Sequence, residues 1–157
     1  MRLGLVVAVV AALVDQLAKA WVVSFFARAA GERLHPVTPF LNLVLTLNRG
    51  MSFGLFNTHA AFNAVIFTVL AAAIVAALLV WLARTREPLL QVAIGLVIGG
   101  AIGNVADRLA RGAVVDFLDF HLSAWHWFSF NLADAAISIG VALMVIDGLR
   151  SGREARN

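Results

Sequence analysis

The sequence predicts an all-α membrane protein: four transmembrane helices with a small extracytoplasmic β-sheet or cradle and a second periplasmic loop. Composition is the first observation behind this reading. Hydrophobic residues make up 62% of the 157 residues and charged residues 13%, with a mean hydropathy of +0.91; soluble domains hold roughly 45–50% and about 25%. A soluble core of this size cannot hide that excess, so the surplus apolar surface must face lipid. The second observation is a set of four apolar stretches, each approaching the ~20 residues that cross a bilayer. The third is the character of the intervening segments, which carry strand and aromatic signals where the first and third stretches end.

The first helix is expected over residues 3–26. Arg2 ahead of an apolar run and the small-x-small trio Ala27, Arg28, Ala29 also resemble a cleavable signal. Asp15 and Lys19 argue against that, because a signal peptide carries only apolar residues at this depth, so a retained helix is expected. In the loop that follows, Leu41, Leu43, Leu45 and Leu47 alternate with Asn42, Val44, Thr46 and Asn48. This period of two reads as a half-buried strand. Pro36 and Pro39 precede it, and Gly50 and Gly54 follow it. Helices over 60–82 and 89–106 come next, joined by the short link that carries Arg84 and Arg86. Residues 113–120, rich in β-branched and aromatic side chains, form a second outer segment, which with the first makes a small sheet at the membrane surface. Trp125 and Trp127 suit the headgroup level. The last helix is expected over 132–149, and residues 1–157 read as one domain.

Charge restricts partners and suggests orientation. The formal charge is +3, but the basic residues gather at the chain ends and in one short link, which suits anionic headgroups and not nucleic acid. Arg2, Arg84, Arg86, Arg150, Arg153 and Arg156 share one side densely, while Arg28, Arg33, Arg49, Arg108 and Arg111 are spread over longer loops opposite. That density places both termini in the cytoplasm. Cysteine is absent, which excludes disulfides, thiolate metal sites and cysteine nucleophiles.

Ionisable groups at membrane depth mark either a functional site or a paired structural bridge. Asp15 and Lys19 stand at i, i+4, the spacing at which an acid and a base meet on one helix face; they either neutralise each other or position substrate or neighbouring helices. Gly95, Gly99 and Gly103 recur every fourth residue and allow a second backbone to approach closely. Asn104, Asp107 and Arg108 converge near the end of the same helix, where an Asp107 to Arg108 surface bridge is the plainer alternative. Asp116 and Asp119 each lie between apolar neighbours in the second outer segment. Asp134 sits three residues after Asn131, the spacing of an N-cap and its capping-box acid. Two carboxylates brought close share one proton, so one serves as general base towards water while the other polarises a carbonyl. Asp116 and Asp134 are candidates for such a pair. His35, His59, His121 and His126 lack HExxH-type metal spacing, and no GxSxG elbow, serine-lysine signature or phosphate loop is evident.

Five ordered blocks then become recognisable: Asp15-Gln16 with Lys19; Asn48-Arg49-Gly50 with Phe53-Gly54; Gly99 to Asn104 with Asp107-Arg108; Val114-Val115-Asp116-Phe117; and Phe130-Asn131-Leu132-Ala133-Asp134. Together they resemble the bacterial lipoprotein signal peptidases, also called signal peptidase II or prolipoprotein signal peptidase, over nearly the whole chain. The resemblance implies a membrane aspartic endopeptidase that removes the signal peptide from diacylglyceryl-modified prolipoproteins, cleaving before the lipidated cysteine. It implies Asp116 and Asp134 as the catalytic pair, with Asp15, Lys19, Asn48, Gly50, Asn104, Asp107, Arg108 and Asn131 supporting or lining the site. Asp119 matches no assigned position, and Met51-Ser52 departs from the two small residues of many relatives. Arg108 is suited to hold a carboxylate or phosphate. No metal and no organic cofactor are expected; the expected partners are the lipid-modified precursor and membrane lipids, with inhibition by globomycin-type peptides and a monomeric state in the inner membrane. The rival readings are a small proton-coupled transporter, with Asp15, Asp107 and Asp134 as a relay, and a noncatalytic membrane assembly factor.

Overall fold

The computed structural model describes residues 1–29, 31–49, 60–122 and 125–154. Among them four helices are long and apolar enough to cross a membrane. In chain order the elements are α1 (Arg2–Ala27), β1 (Leu34–Thr38), β2 (Leu41–Asn48), α2 (Ala60–Arg84), α3 (Pro88–Arg111), β3 (Val114–Leu122), β4 (Trp125–His126) and α4 (Leu132–Glu154). Gly50, Met51, Ser52, Phe53, Gly54 and His59, all singled out from the sequence, lie outside the described residues.

α3 is the axis of the bundle. The apolar window of α3 is 61% buried, against 22%, 6% and 11% for α1, α2 and α4. Its small residues explain why. A side chain at Gly95 would strike the Gly4 carbonyl, and one at Gly99 would strike the Ala8 carbonyl, so this face holds α1 at backbone contact. The other flank receives α4: a Cβ at Gly100 would meet the Ala133 carbonyl, and on α4 a Cβ at Gly140 would stand 2.6 Å from the Ala93 carbonyl. Towards the end where α1 and α3 begin and α2 stops, Ala8, Leu82, Ile94 and Ile98 make a shared apolar core. The remaining faces of α1, α2 and α4 stay exposed and apolar, as Leu13, Leu17, Val69, Val80, Val145 and Leu149 do. That is the surface a helix offers to lipid.

α3 continues to Arg111, beyond the stop at Ala106 that apolarity alone suggests, so Asp107 and Arg108 are helical. The extension is possible because Asp107 is neutralised inside the bundle, while Arg108 and Arg111 suit the negative end of the helix dipole. Gly112 then ends the helix in the left-handed region, at φ 68°, with its N–H returned to the Arg108 carbonyl. A side-chain-bearing residue adopts that conformation only with strain.

The sheet caps the end of the bundle where α1 and α3 stop and α4 starts. It is antiparallel with order β1-β2-β3-β4. β2 covers the alternating segment read from the sequence, and β3 covers most of the second. β1 is an addition, since Pro36 lies within it and pairs with Asn42. An edge strand tolerates a residue with no N–H to donate, and β1 is such an edge. β2 and β3 pair from Leu41 opposite Phe120 to Asn48 opposite Val114, with a shift in register between Leu43 and Thr46. Val22 and Phe26 of α1 pack against Leu43 and Phe117, which seats the sheet on the bundle.

Candidate active site

β3 and the start of α4 are tied together before any side chain is considered. Phe130 accepts hydrogen bonds from the N–H groups of Phe117 and Leu118 and donates its own to the Leu118 carbonyl at 3.0 Å. This places Asn131 beside Asp116. The Asn131 amide donates to Asp116 Oδ1 at 2.6 Å. Its carbonyl oxygen accepts the Asp134 N–H at 3.0 Å, while the Asn131 N–H donates to Asp134 Oδ2 at 3.3 Å. These two bonds form a capping box, in which Asn131 and the acid three residues later satisfy each other's free N–H groups. One residue, fully buried, thus contacts both acids.

Asp116 is 1% exposed, whereas Asp134 is half-buried. Asn48 of β2 donates to Asp116 Oδ2 at 2.9 Å, and Asn104 of α3 donates to Asp134 Oδ1 at 2.8 Å. Burial pushes the Asp116 carboxyl up to about 6, the Asp134 charge adds to this, and the bonds from Asn48 and Asn131 and the Lys19 charge pull the other way. A carboxyl so placed holds its proton into the range where an ordinary one is ionised.

Beneath the acids lies a buried charged cluster. Lys19 uses its three N–H donors on Asp15 Oδ2 at 2.8 Å, Asp107 Oδ2 at 2.9 Å and Asn104 Oδ1 at 3.0 Å. Asp15, Lys19 and Asp107 are all 0% exposed, and the second oxygen of Asp107 pairs with Arg111. Two acids and two bases balance, which is what makes the burial tolerable; removing one partner of such a group costs about 3–5 kcal/mol. Each acid also holds a backbone N–H. Asp15 Oδ1 accepts the Ala133 N–H at 2.9 Å, and Asp107 Oδ2 accepts the Val115 N–H at 3.0 Å.

Asp107 therefore does not bridge to Arg108, the plainer alternative that adjacency in sequence suggested; successive helical side chains diverge, and Lys19 and Arg111 take the carboxylate. The Arg108 guanidinium instead lies 5.5 Å from the ring centre of Phe67 on α2 and within 3.4 Å of the Asn104 carbonyl. It stands half-buried and within electrostatic reach of Asp134, Asp116 and Asp107. Asp119 is separate: it takes a bond from Asn42 at 3.0 Å and meets His126 Nδ1 with both oxygens, at 2.9 and 3.2 Å, on the far part of the sheet. Gln16 had no assigned role, yet its amide donates to the Gly103 carbonyl at 3.0 Å and to Asp107 Oδ1 at 3.3 Å. Its place beside Asp15 in the first block was the available signal. Among the described residues no three His, Asp or Glu side chains are grouped to hold a metal ion. A groove of about 360 Å³ opens beside Asp134, walled by Trp127, Phe128, Phe130 and the Ser138–Ile139 flank of α4.

Residues 7–150 match the family model described as signal peptidase (SPase) II. A lipoprotein signal peptidase of Paraburkholderia phymatum is 47% identical over 152 residues, which cover 96% of this chain and 89% of that protein. One of Burkholderia mallei is 43% identical over 151 residues, again 96% and 89%. Two solved structures of bacterial membrane enzymes are similar in fold. The first, at 2.3 Å, has a TM-score of 0.76 and 29% identity, covering 95% of this chain and 88% of its own. The second, at 1.9 Å, has a TM-score of 0.75 and 30% identity, with 93% and 92% covered.

Proposed function

The chain belongs to the signal peptidase II family, multi-pass inner-membrane aspartic peptidases that cleave signal peptides from prolipoproteins, and from that premise we propose that Asp116 and Asp134 are its catalytic dyad. The observation that carries this is the double hold of Asn131 on Asp116 and on the capped first turn of α4 that bears Asp134. The environments of the two acids divide the roles. Asp134, half-buried at a helix N-terminus and accepting from Asn104 and Asn131, takes the part of the general base. Asp116, buried and pushed up in pKa, is the protonated partner.

In the proposed reaction Asp134 takes a proton from a water while Asp116 donates a hydrogen bond to the scissile carbonyl oxygen. The water oxygen bonds to the carbonyl carbon as the Asp116 proton passes to the carbonyl oxygen, and a neutral tetrahedral diol forms. The proton held by Asp134 passes to the amide nitrogen and the C–N bond breaks while one diol hydroxyl returns its proton to Asp116, so a new carboxyl and a free amine leave and both acids regain their starting states. That amine belongs to the diacylglyceryl-modified cysteine, so cleavage falls just before it. The lipid anchor keeps the scissile bond near the outer headgroups, at the level where α3 ends and α4 begins. Both termini are then cytoplasmic, and the monomer suffices because one chain supplies both acids. An extended substrate backbone beside β2 and β3 gains main-chain bonding of the strand-addition type. Globomycin-type peptides are expected to compete for the same place.

The test is cleavage of a lipidated precursor by purified enzyme. Asp116→Asn and Asp134→Asn should each abolish cleavage while retaining a cooperative thermal transition, because an amide matches carboxylate shape but cannot exchange the proton. Near-normal cleavage by either variant would overturn the dyad. A proton relay would instead require Asp15 and Asp107 to be free to pass protons along the bundle; both are engaged by Lys19 and by backbone N–H groups.

A further inference from the structure

The buried cluster around Lys19 repeats one contact on both sides of the site. Asp15 holds the N–H of Ala133, the residue just before Asp134; Asp107 holds the N–H of Val115, the residue just before Asp116. Ala133 and Val115 are each 0% exposed, so no bulk water reaches those amides. A single ammonium joins the two carboxylates and, through Asn104, also touches Asp134. Gly103 completes the fit, since a Cβ there would stand 2.6 Å from Asp15 Oδ2. The second-position N–H of a helix is ordinarily met by a local cap; here an acid from another helix meets it.

We propose that Asp15 and Asp107, joined through Lys19, are positioning residues that set the separation of the two dyad carboxylates, each by gripping the backbone immediately ahead of one of them. The proposal rests on the dyad reading and deepens it. A cluster that served only to neutralise buried charge would need no bond to either amide. Placing both bonds one residue from a dyad acid makes the Lys19 cluster a spacer between β3 and α4. A displacement near 1 Å at a reacting group costs on the order of 100-fold in rate, so such a spacer acts on turnover and not on substrate capture.

Asp107→Asn and Asp107→Leu discharge the same position, but only Asn keeps an oxygen for the Val115 N–H. With a lipidated precursor, the Leu variant should show kcat about 100-fold below the Asn variant, with KM within about 3-fold. Wider separation also weakens the sharing of a proton, so the alkaline limb of the Leu variant should move to lower pH. The charged groups facing Asp116 are Asp134 on α4, Lys19 on α1 and Arg108 on α3, with neutral Asn48 on β2, and none differs between the two variants. Equal kcat and coincident limbs in the two would overturn the proposal, as would a fall in kcat with the limb unmoved. Should the Leu variant not fold, the pair is compared with Arg111→Met added to each, which removes the cation that loses its partner at Asp107 while Lys19 stays paired with Asp15. Should neither Leu variant fold, the same comparison is made at Asp15, where Asn keeps an oxygen for the Ala133 N–H and Ala does not; equal kcat and coincident limbs in that pair overturn the spacer. Cleavage by Asp116→Asn or Asp134→Asn in the same assay would sink the dyad itself, whereas dead dyad variants beside equal Asn and Leu variants would sink only the spacer.

Discussion

Asp116 meets four kinds of influence that set its chemistry: burial, amide donors from Asn48 and Asn131, the neighbouring acid Asp134, and the Lys19 charge. Burial and Asp134 favour the proton while the amides and Lys19 oppose it, with a balance at about 6 against an ordinary 3.8. In the proposed dyad this acid is the protonated partner, so kcat/KM should fall as pH rises through about 6. The limb of kcat should lie higher, because bound substrate removes remaining water. Asn48→Ala removes a donor that favours the charged form and should shift the kcat/KM limb upward; a downward shift would contradict this account. Linkage gives the sign for stability. A folded-state value above the unfolded one stabilises fully below about 3.8, and that contribution is lost as pH rises through about 6. The melting temperature of Asp116→Asn relative to the unsubstituted protein should therefore rise over the same interval.

Among the elements, α3 carries the heaviest constraints. Its glycines let α1 and α4 approach to backbone contact, and the same approach delivers Asp15 to Gly103 and Ala133. Gly99→Val should overpack against the Ala8 carbonyl and cost about 1–3 kcal/mol, read as a lower melting temperature in detergent. Ile102→Val on the exposed flank of the same helix should leave it nearly unchanged, as it only shortens a lipid-facing chain. Equal effects at the two positions would mean that the glycine face is not where the helices meet. β3 and the first turn of α4 behave as one unit, because the Phe130 bridge joins them directly and Asn131 continues the join. The sheet is thus a seat for one dyad acid as well as a cover for the bundle end.

At the scale of the molecule, lipid and water divide the surface. Apolar residues ring the helices, while the buried polar groups concentrate where α1 and α3 end and α4 starts. The proposed orientation puts that end outside. With no native cysteine, a single introduced one reports its side unambiguously. Glu32→Cys, ahead of β1, should react with an impermeant thiol reagent added to intact spheroplasts. Thr85→Cys, in the α2 to α3 link, should react only after the membrane is opened. The reverse pattern would invert the topology and move the dyad away from the lipid-anchored cleavage site.

The four spans, the strand at Leu41–Asn48 and the capping relation of Asn131 to Asp134 were legible in the sequence, because each depends on local period, length or spacing. The family resemblance likewise came from ordered blocks. What the residues alone left open was which acids meet which partners. Asp107 stands beside Arg108 in the chain, yet it bonds to Lys19 and Arg111; Asp15 reaches an amide more than a hundred positions away. Pro36 hid an edge strand, and Gln16 gave no sign of the Gly103 carbonyl it would find. Periodicity reports which face of an element is apolar and so which solvent it chooses, but the pairing of buried charges is set by helix contact across the bundle. Only the folded chain supplies that distance.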